Sequence, residues 1–271
     1  MRLAFSTLGV PGLPVPDVVR LAADTGFHGV ELRAHPEEPV HPGLSLTERV
    51  EVVERFAAAG VEILALAGYA QAAAPGDDVE FLRETRALLE LARDLGAPWV
   101  RVFPGGGDGS PAEADATAVR RLAAVAPLSA DLGPRVLLET HDSHRTGAAA
   151  ARVLSRLGGP GQGSGPSAGA LWDVMHTWLG GEDPAETLRH LAPYLGYVQV
   201  KDIASAEDTA PLPPGSGVLP LAEVTELLSR AGWDGWLCWE YEKRWYPQVP
   251  ELAGALAPVR EHLLRLLSAA A

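Results

Sequence analysis

Arg135-Val136-Leu137-Leu138-Glu139 is an apolar run closed by a carboxylate, and the same shape returns in Ala170-Leu171-Trp172-Asp173, Tyr197-Val198-Gln199 and Leu237-Cys238-Trp239-Glu240. A carboxylate that closes a buried strand is costly to desolvate unless a cation or a paired base compensates it. The four polar positions recur at intervals of roughly one strand-plus-helix unit, the spacing of a barrel whose strand ends share one mouth. The pattern predicts a metal site built from Glu139, Asp173, Gln199 and Glu240.

Working outward, short β-type runs alternate with longer helical patterns along the whole chain, the signature of a parallel sheet made of βα units. Strands are predicted at 3–7, 29–33, 63–67, 99–103, 135–139, 169–173, 197–201 and 236–240. Helices are predicted at 16–25, 47–59, 79–95, 114–131, 147–157, 184–191, 221–231 and 249–267. Gly26, Gly60, Gly96, Gly133, Gly158, Gly196 and Gly232 each stand between a helical pattern and the next strand, where a left-handed cap favours glycine. The expected fold is therefore α/β, a single (β/α)8 barrel domain over residues 1–271, close to the ~250 residues typical of that architecture.

Composition narrows the function. The chain has 271 residues, 47% of them hydrophobic, and a formal net charge of −13. An acidic balance argues against a nucleic-acid partner, whose phosphates call for clustered Lys and Arg. The one cysteine, Cys238, excludes an internal disulfide framework and a thiolate-rich zinc site. No run approaches the ~20 apolar residues of a membrane span, and the opening residues are too quickly punctuated for a signal peptide, so a cytoplasmic protein is expected. Lys201 and Lys243 are the only lysines, each within three residues of a candidate ligand.

Two segments break the rhythm. Residues 158–169 form a Gly, Pro and Ser run on the helix-to-strand side, read as a flexible loop away from the chemistry. Residues 204–220 follow the seventh strand on the catalytic side, and their Pro214-Gly215-Ser216-Gly217 core reads either as part of a lid or as an irregular loop.

Alternation along a strand puts Glu139 and His141, or Gln199 and Lys201, on one side. Glu31 with Arg33, and Arg101 with Phe103, are in phase in the same way. Arg33 and Arg101 read either as substrate clamps or as internal ion-pair partners for Glu31 and Glu62. Asp142 and Glu242 are expected to orient their neighbours. His28, His35, His41, His144, His190 and His262 read as surface or loop residues, and most of the tryptophans as packing. The Gly105-Gly106-Gly107 run lacks the lysine and the spacing of a phosphate loop.

Leu138-Glu139-Thr140-His141, Asp173-Val174-Met175-His176, Val200-Lys201-Asp202, Gly215-Ser216-Gly217 and Gly232-Trp233-Asp234-Gly235 leading into Trp239-Glu240-Tyr241-Glu242 together resemble the xylose-isomerase-like barrel family of sugar isomerases and epimerases. The resemblance spans nearly the whole chain. It implies one divalent metal held by Glu139, Asp173, Gln199 and Glu240, with Gln199 where the commoner pattern has histidine, as in hydroxypyruvate-isomerase-like relatives. Three carboxylates and an amide favour Mg²⁺ or Mn²⁺, with Zn²⁺ or Co²⁺ admissible.

The resemblance further implies proton transfer through an enediolate, with Glu139 and Glu240 as base and acid, His141, His176, Lys201, Arg33 and Arg101 binding the substrate, and a small carbohydrate as the molecule bound. No nucleic-acid or membrane partner is expected, and association with further copies of the chain stays open. Three alternatives remain. They are a dehydratase of the same family acting on a 3-dehydroshikimate-type substrate, an endonuclease-IV-like phosphodiesterase, and a sugar-binding barrel without catalysis.

Overall fold

In the computed structural model, which describes residues 1–107, 109–158 and 167–270, strands and helices alternate from end to end. The order is β1 (Arg2–Ser6), α1 (Val15–Thr25), β2 (Gly29–Arg33), α2 (Leu46–Ala59), β3 (Glu62–Gln71), α3 (Val79–Leu95), β4 (Trp99–Phe103), α4 (Pro111–Leu132), β5 (Arg135–Glu139), α5 (Gly147–Leu154), β6 (Ala168–Asp173), α6 (Val174–Leu179), α7 (Pro184–Leu191), β7 (Leu195–Val200), α8 (Leu221–Arg230), β8 (Trp236–Trp239) and α9 (Leu256–Ala269). The strands are ordered β1 to β8 in a closed barrel. The expected α/β barrel is the fold observed. Most of the Gly, Pro and Ser run at 158–169 lies outside the described residues.

By their internal contacts the residues form two compact units, Met1–Leu64 with Tyr197–Ala271, and Ala65–Gly196. In the first, β1 pairs in parallel with β2 and with β8, and β7 pairs with β8, setting Gln199 opposite Cys238. Leu3, Phe5, Val30, Val198 and Leu237 are fully buried along these strands. In the second unit β3, β4, β5 and β6 pair in sequence, with Glu139 opposite Leu171, over a core that includes Leu66, Val100, Leu137 and Ala170.

Local chemistry explains the boundaries. Ser45 and Glu48 close a reciprocal capping box at the start of α2, and Ser110 caps α4 ahead of Pro111, so donors that a helix start leaves orphaned are satisfied. Gly26, Gly60 and Gly96 take left-handed φ values of 72°, 65° and 71° at helix ends, and Gly232 follows α8 at 68°.

The other three expected caps differ. Gly133 and Gly158 have positive φ outside the left-handed helical region. Gly196 lies inside β7, where a Cβ would come within 2.5 Å of Leu137 Cδ1, so this glycine allows close packing and not a turn. β3 runs past the expected end at Ala67 to Gln71, with an irregular register between those two residues. The last helix begins at Leu256, not Val249. Pro247 and Pro250 disfavour helix around them, and Lys243 Nζ holds the Pro247 and Val249 carbonyls at 3.3 and 2.8 Å.

The segment after β7 is pinned. Asp202 accepts backbone N–H bonds from Ile203 (3.1 Å), Gly215 (2.9 Å), Gly217 (2.8 Å) and Leu219 (3.1 Å), and its own carbonyl accepts from Leu212 N at 2.8 Å. The Val200-Lys201-Asp202 and Gly215-Ser216-Gly217 motifs are thus two halves of one fastening. A Cβ at Gly217 would lie 2.1 Å from the Ile203 carbonyl oxygen, which is held by the Val218 N–H at 3.0 Å. Gly217→Ala is expected to lower stability by about 1–3 kcal/mol, read as an earlier urea midpoint. An unchanged midpoint would show that the fastening yields freely.

Candidate metal centre

In the second unit, β5 delivers Glu139 and β6 delivers Asp173, and Thr140 ties the two strand ends together. Its hydroxyl accepts from Asp173 N at 2.9 Å and donates to the Asp173 carbonyl at 3.3 Å. Asp173 also caps α6, with Oδ1 accepting from Met175 N (2.8 Å) and His176 N (3.3 Å). The cap places His176 one turn beyond the carboxylate. Glu139 Oε2 lies 3.1 Å from Arg101 Nη1, and both side chains are buried. The Arg101 guanidinium sits 3.9 Å from the Phe103 ring centroid and 5.5 Å from that of Tyr69, so Arg101 is fixed by an ion pair and two aromatic faces. Its partner is Glu139 and not Glu62, which pairs instead with Arg2.

Beside this pair stand the two histidines. The His141 and His176 ring centroids are 3.9 Å apart, and ligand atoms of Glu139, His141 and His176 lie within 4.8 Å of one another. His141 Nδ1 is 2.8 Å from Asp142 Oδ1. Burial works against the charged form of His141, but the bond to Asp142 and the charges of Glu139, Asp142 and Asp173 outweigh it, and the imidazole pKa lies above its ordinary value.

In the first unit, Tyr197, Gln199 and Lys201 alternate onto one side of β7 and its end. Gln199 Nε2 donates to Glu31 Oε2 at 2.9 Å and to Glu240 Oε1 at 3.0 Å, and the Tyr197 hydroxyl donates to the same Glu31 oxygen. Lys201 Nζ bonds Glu240 Oε2 and, at 2.6 Å, Glu242 Oε1. Gln199, Glu31 and Lys201 are all buried. The orientation of the Gln199 amide follows from charge, because the reversed amide would aim its oxygen at two carboxylates. The forced orientation leaves Gln199 Oε1 buried with no hydrogen-bond donor among the described residues. A buried acceptor of this kind fits a hard cation.

The remaining expected residues sort cleanly. Arg33 is buried against Glu38 at 2.5 Å, while Glu38 Oε2 also accepts from Gly12 N at 2.8 Å. This is the ion-pair reading of Arg33, with Glu38 in place of Glu31. Of the two residues expected to orient neighbours, Glu242 accepts a bond from Lys201 and Asp142 lies beside His141. Cys238 is buried, and burial followed by the nearby Glu31 and Glu240 charges pushes its thiol pKa up, so it packs as a small apolar group. His144, read as a surface or loop residue, does lie in the turn after β5, but it is buried there. It bonds Ser143 Oγ at 2.9 Å and Asp115 Oδ1 at 3.0 Å, with its pKa lowered chiefly by burial. Ser143 Oγ in turn accepts from Gly106 N at 3.0 Å, so the glycine run is anchored to the turn after β5.

Glu31 and Tyr197, neither of them among the expected ligands, hold the Gln199 side of the site. The available signal was the period-two alternation that aligns Tyr197 with Gln199 and Lys201, and Glu31 with Arg33.

A putative hydroxypyruvate isomerase of Streptomyces coelicolor is 28% identical over 252 residues, covering 85% of this chain and 86% of the relative. A 3-dehydroshikimate dehydratase of Bacillus anthracis is 27% identical over 195 residues, 70% of this chain and 67% of the relative. Among solved structures, the IolI protein with a bound zinc atom superposes with a TM-score of 0.82 at 18% identity, covering 100% of this chain and 99% of that one. Residues 19–265 match the xylose isomerase-like TIM barrel profile, and on that match, spanning all but the ends of the chain, this protein belongs to the xylose isomerase-like TIM barrel family.

Proposed function

We propose that this protein is a divalent-metal-dependent isomerase or epimerase that moves a proton next to a carbonyl in a small sugar or sugar-derived substrate. Glu139, Asp173, Gln199 and Glu240 would hold the metal, with Mn²⁺ or Mg²⁺ preferred. The observation that carries the reading is the Gln199 amide, held by Glu31 and Glu240 so that its buried oxygen has no hydrogen-bond donor among the described residues. The relation to a putative hydroxypyruvate isomerase supports the reaction class.

When bound, the metal supplies Lewis acidity that polarises a substrate carbonyl and acidifies the neighbouring C–H. The protein does the rest. Glu240 is positioned by Gln199 and Lys201 to take or return a proton, and Lys201 balances charge at its carboxylate. Glu139, steadied by Arg101, is the second proton-handling group. His141 and His176 offer ring nitrogens to substrate hydroxyls.

Dehydration is the second reading, supported by the relation to a 3-dehydroshikimate dehydratase. The same bases would remove the α-proton, and a β-hydroxyl would then leave. Incubation with candidate ketoses, keto acids and 3-dehydroshikimate in D₂O with Mn²⁺ tests both: deuterium uptake with an unchanged skeleton marks isomerisation or epimerisation, and loss of water marks dehydration. No exchange and no dehydration with any of them would overturn the enzyme reading.

Gln199 gives a sharper test. Gln199→His is expected to keep a metal site but shift preference towards Zn²⁺, Co²⁺ or Ni²⁺, and to make affinity fall below the imidazole pKa of ~6.5. Gln199→Leu is expected to weaken Mn²⁺ binding. Identical titrations for Gln, His and Leu would show that position 199 is a bystander.

A further inference from the structure

We propose that Ser143 is an activated nucleophile, with His144 as its base and Asp115 as the positioning residue behind it, and that it accepts the acyl group of a small ester whose alcohol is rich in hydroxyls. The three residues belong to the Ala65–Gly196 unit, and none of them is in the proposed metal set. The proposal does not rest on the metal-dependent reaction above.

One chain of hydrogen bonds joins them. Ser143 Oγ lies 2.9 Å from His144 Nδ1, and His144 Nε2 lies 3.0 Å from Asp115 Oδ1. Asp115 is held in turn by Arg152, whose Nε and Nη2 donate at 2.9 and 3.2 Å. The protons follow from charge. Burial works against the charged form of Asp115, but Arg152 and His144 outweigh it and keep the carboxyl pKa below its usual range, so Asp115 only accepts. His144 then carries its proton on Nε2, which leaves the Nδ1 lone pair to the Ser143 hydroxyl. Burial, helped by the Arg152 charge, outweighs the pull of Asp115 and sets the imidazole pKa below its ordinary value, so the ring is a neutral base at neutral pH. A nucleophile bonded to a base that a third group orients is the general form of an activated hydroxyl.

The surroundings suit an acyl acceptor. His144 is buried and Ser143 is exposed, so the base is sheltered while the hydroxyl is open. It opens on a pocket of about 410 Å³ lined by Gln71, Gly105, Gly107, Asp142, Ser143 and Arg145, polar walls that match a hydroxyl-bearing alcohol. The turn that presents it is strained. Asp142 has φ of 42°, the one positive φ recorded outside glycine, and strain of this kind gathers at functional sites. Gly106 N–H donates to Ser143 Oγ at 3.0 Å, so negative charge developing there meets a fixed donor. A Cβ at Gly106 would lie 2.5 Å from the same oxygen, and glycine is what permits this approach.

In the acyl transfer, Ser143 Oγ bonds to the ester carbonyl carbon while its proton passes to His144 Nδ1. Collapse of the tetrahedral adduct breaks the bond to the alcohol oxygen, which leaves with that proton. Water, deprotonated by the same nitrogen, then attacks the acyl carbon, releases the acid and restores the hydroxyl.

The test is incubation of the full chain with 4-nitrophenyl acetate in EDTA, so that a failed metal assignment leaves the result untouched. Wild-type protein is expected to release more than one equivalent of nitrophenolate and, when quenched, to carry an acetyl group on Ser143 in the tryptic peptide 136–145. Ser143→Ala, a change at an exposed position, is expected to keep the fold, lose the label and slow release at least about a hundredfold. The charged groups facing the His144 ring are Asp115 from α4 and Arg152 from α5. Wild-type release should therefore rise with pH about a midpoint below the ordinary imidazole pKa of ~6.5. Asp115→Asn should slow release about a hundredfold and move that midpoint lower still, because the charge that raises the His144 pKa is gone, and a merely structural role would not move it. Equal release by wild type and Ser143→Ala, acetyl on other residues only, or a midpoint above the ordinary value, the side on which His141 titrates, would overturn the proposal.

Discussion

Glu240→Gln is expected to slow exchange of the substrate α-proton with solvent by about a hundredfold to ten-thousandfold, the range in which a positioned general base contributes. The amide keeps the shape of the carboxylate but cannot accept a proton at neutral pH. Its effect on folding should be small, because Lys201 retains Glu242 at 2.6 Å. A Gln at 240 nevertheless presents either a donor to Gln199 Nε2 or a donor to Lys201, so metal affinity has to be measured beside exchange. Exchange near the wild-type rate at saturating Mn²⁺ would exclude Glu240 as the base. Glu139→Gln is expected to lose exchange to a similar degree, and the structure adds a stability cost that its position in the sequence did not show. Glu139 is the buried ion-pair partner of Arg101, and neutralising one member of a buried pair leaves the other charge uncompensated.

Asp202→Ala carries the largest expected loss of stability. One carboxylate accepts four backbone N–H groups from both sides of the segment it closes, and a buried donor left without a partner costs about 1–3 kcal/mol. The four costs do not simply add, since the freed segment can open to water. A net loss of about 3 kcal/mol is expected, with protease cleavage appearing between residues 204 and 219 while the rest of the chain resists. A urea midpoint within the scatter of ordinary surface substitutions, together with unchanged cleavage, would show that Asp202 is not what holds the segment.

The strands at 29–33, 99–103 and 135–139 were legible to the residue. Each is a short run with a Gly or Pro at or just before its start, so local propensity and burial agree. Gly196 misled because a glycine that avoids a cap and one that permits close packing look alike in sequence. Only Leu137, far away along the chain, distinguishes them. The last helix misled because apolar periodicity continued across Pro247 and Pro250.

Site chemistry divided along the same line. The polar residues that close β5, β6 and β7, and the one that follows β8, announced themselves through the cost of burying them. Their partners did not, because Arg33 with Glu38, Arg101 with Glu139, and Gln199 with Glu31 are chosen by the folded chain. The burial of His144 escaped for a similar reason, since Asp115, which holds one side of its ring, comes from α4.

The Asp202 fastening also has a consequence for how this scaffold can diversify. The residues it grips are 212, 215, 217 and 219, whereas 204–211 project from a base already closed by that grip and are tied to Tyr246 through the Thr209 hydroxyl at 2.8 Å. Length and composition in the projecting part are therefore uncoupled from the strand that carries Gln199 and Lys201. It is a cassette: lineages, or a designer, can exchange it wholesale and present a new surface while Gln199 and Lys201 keep their places.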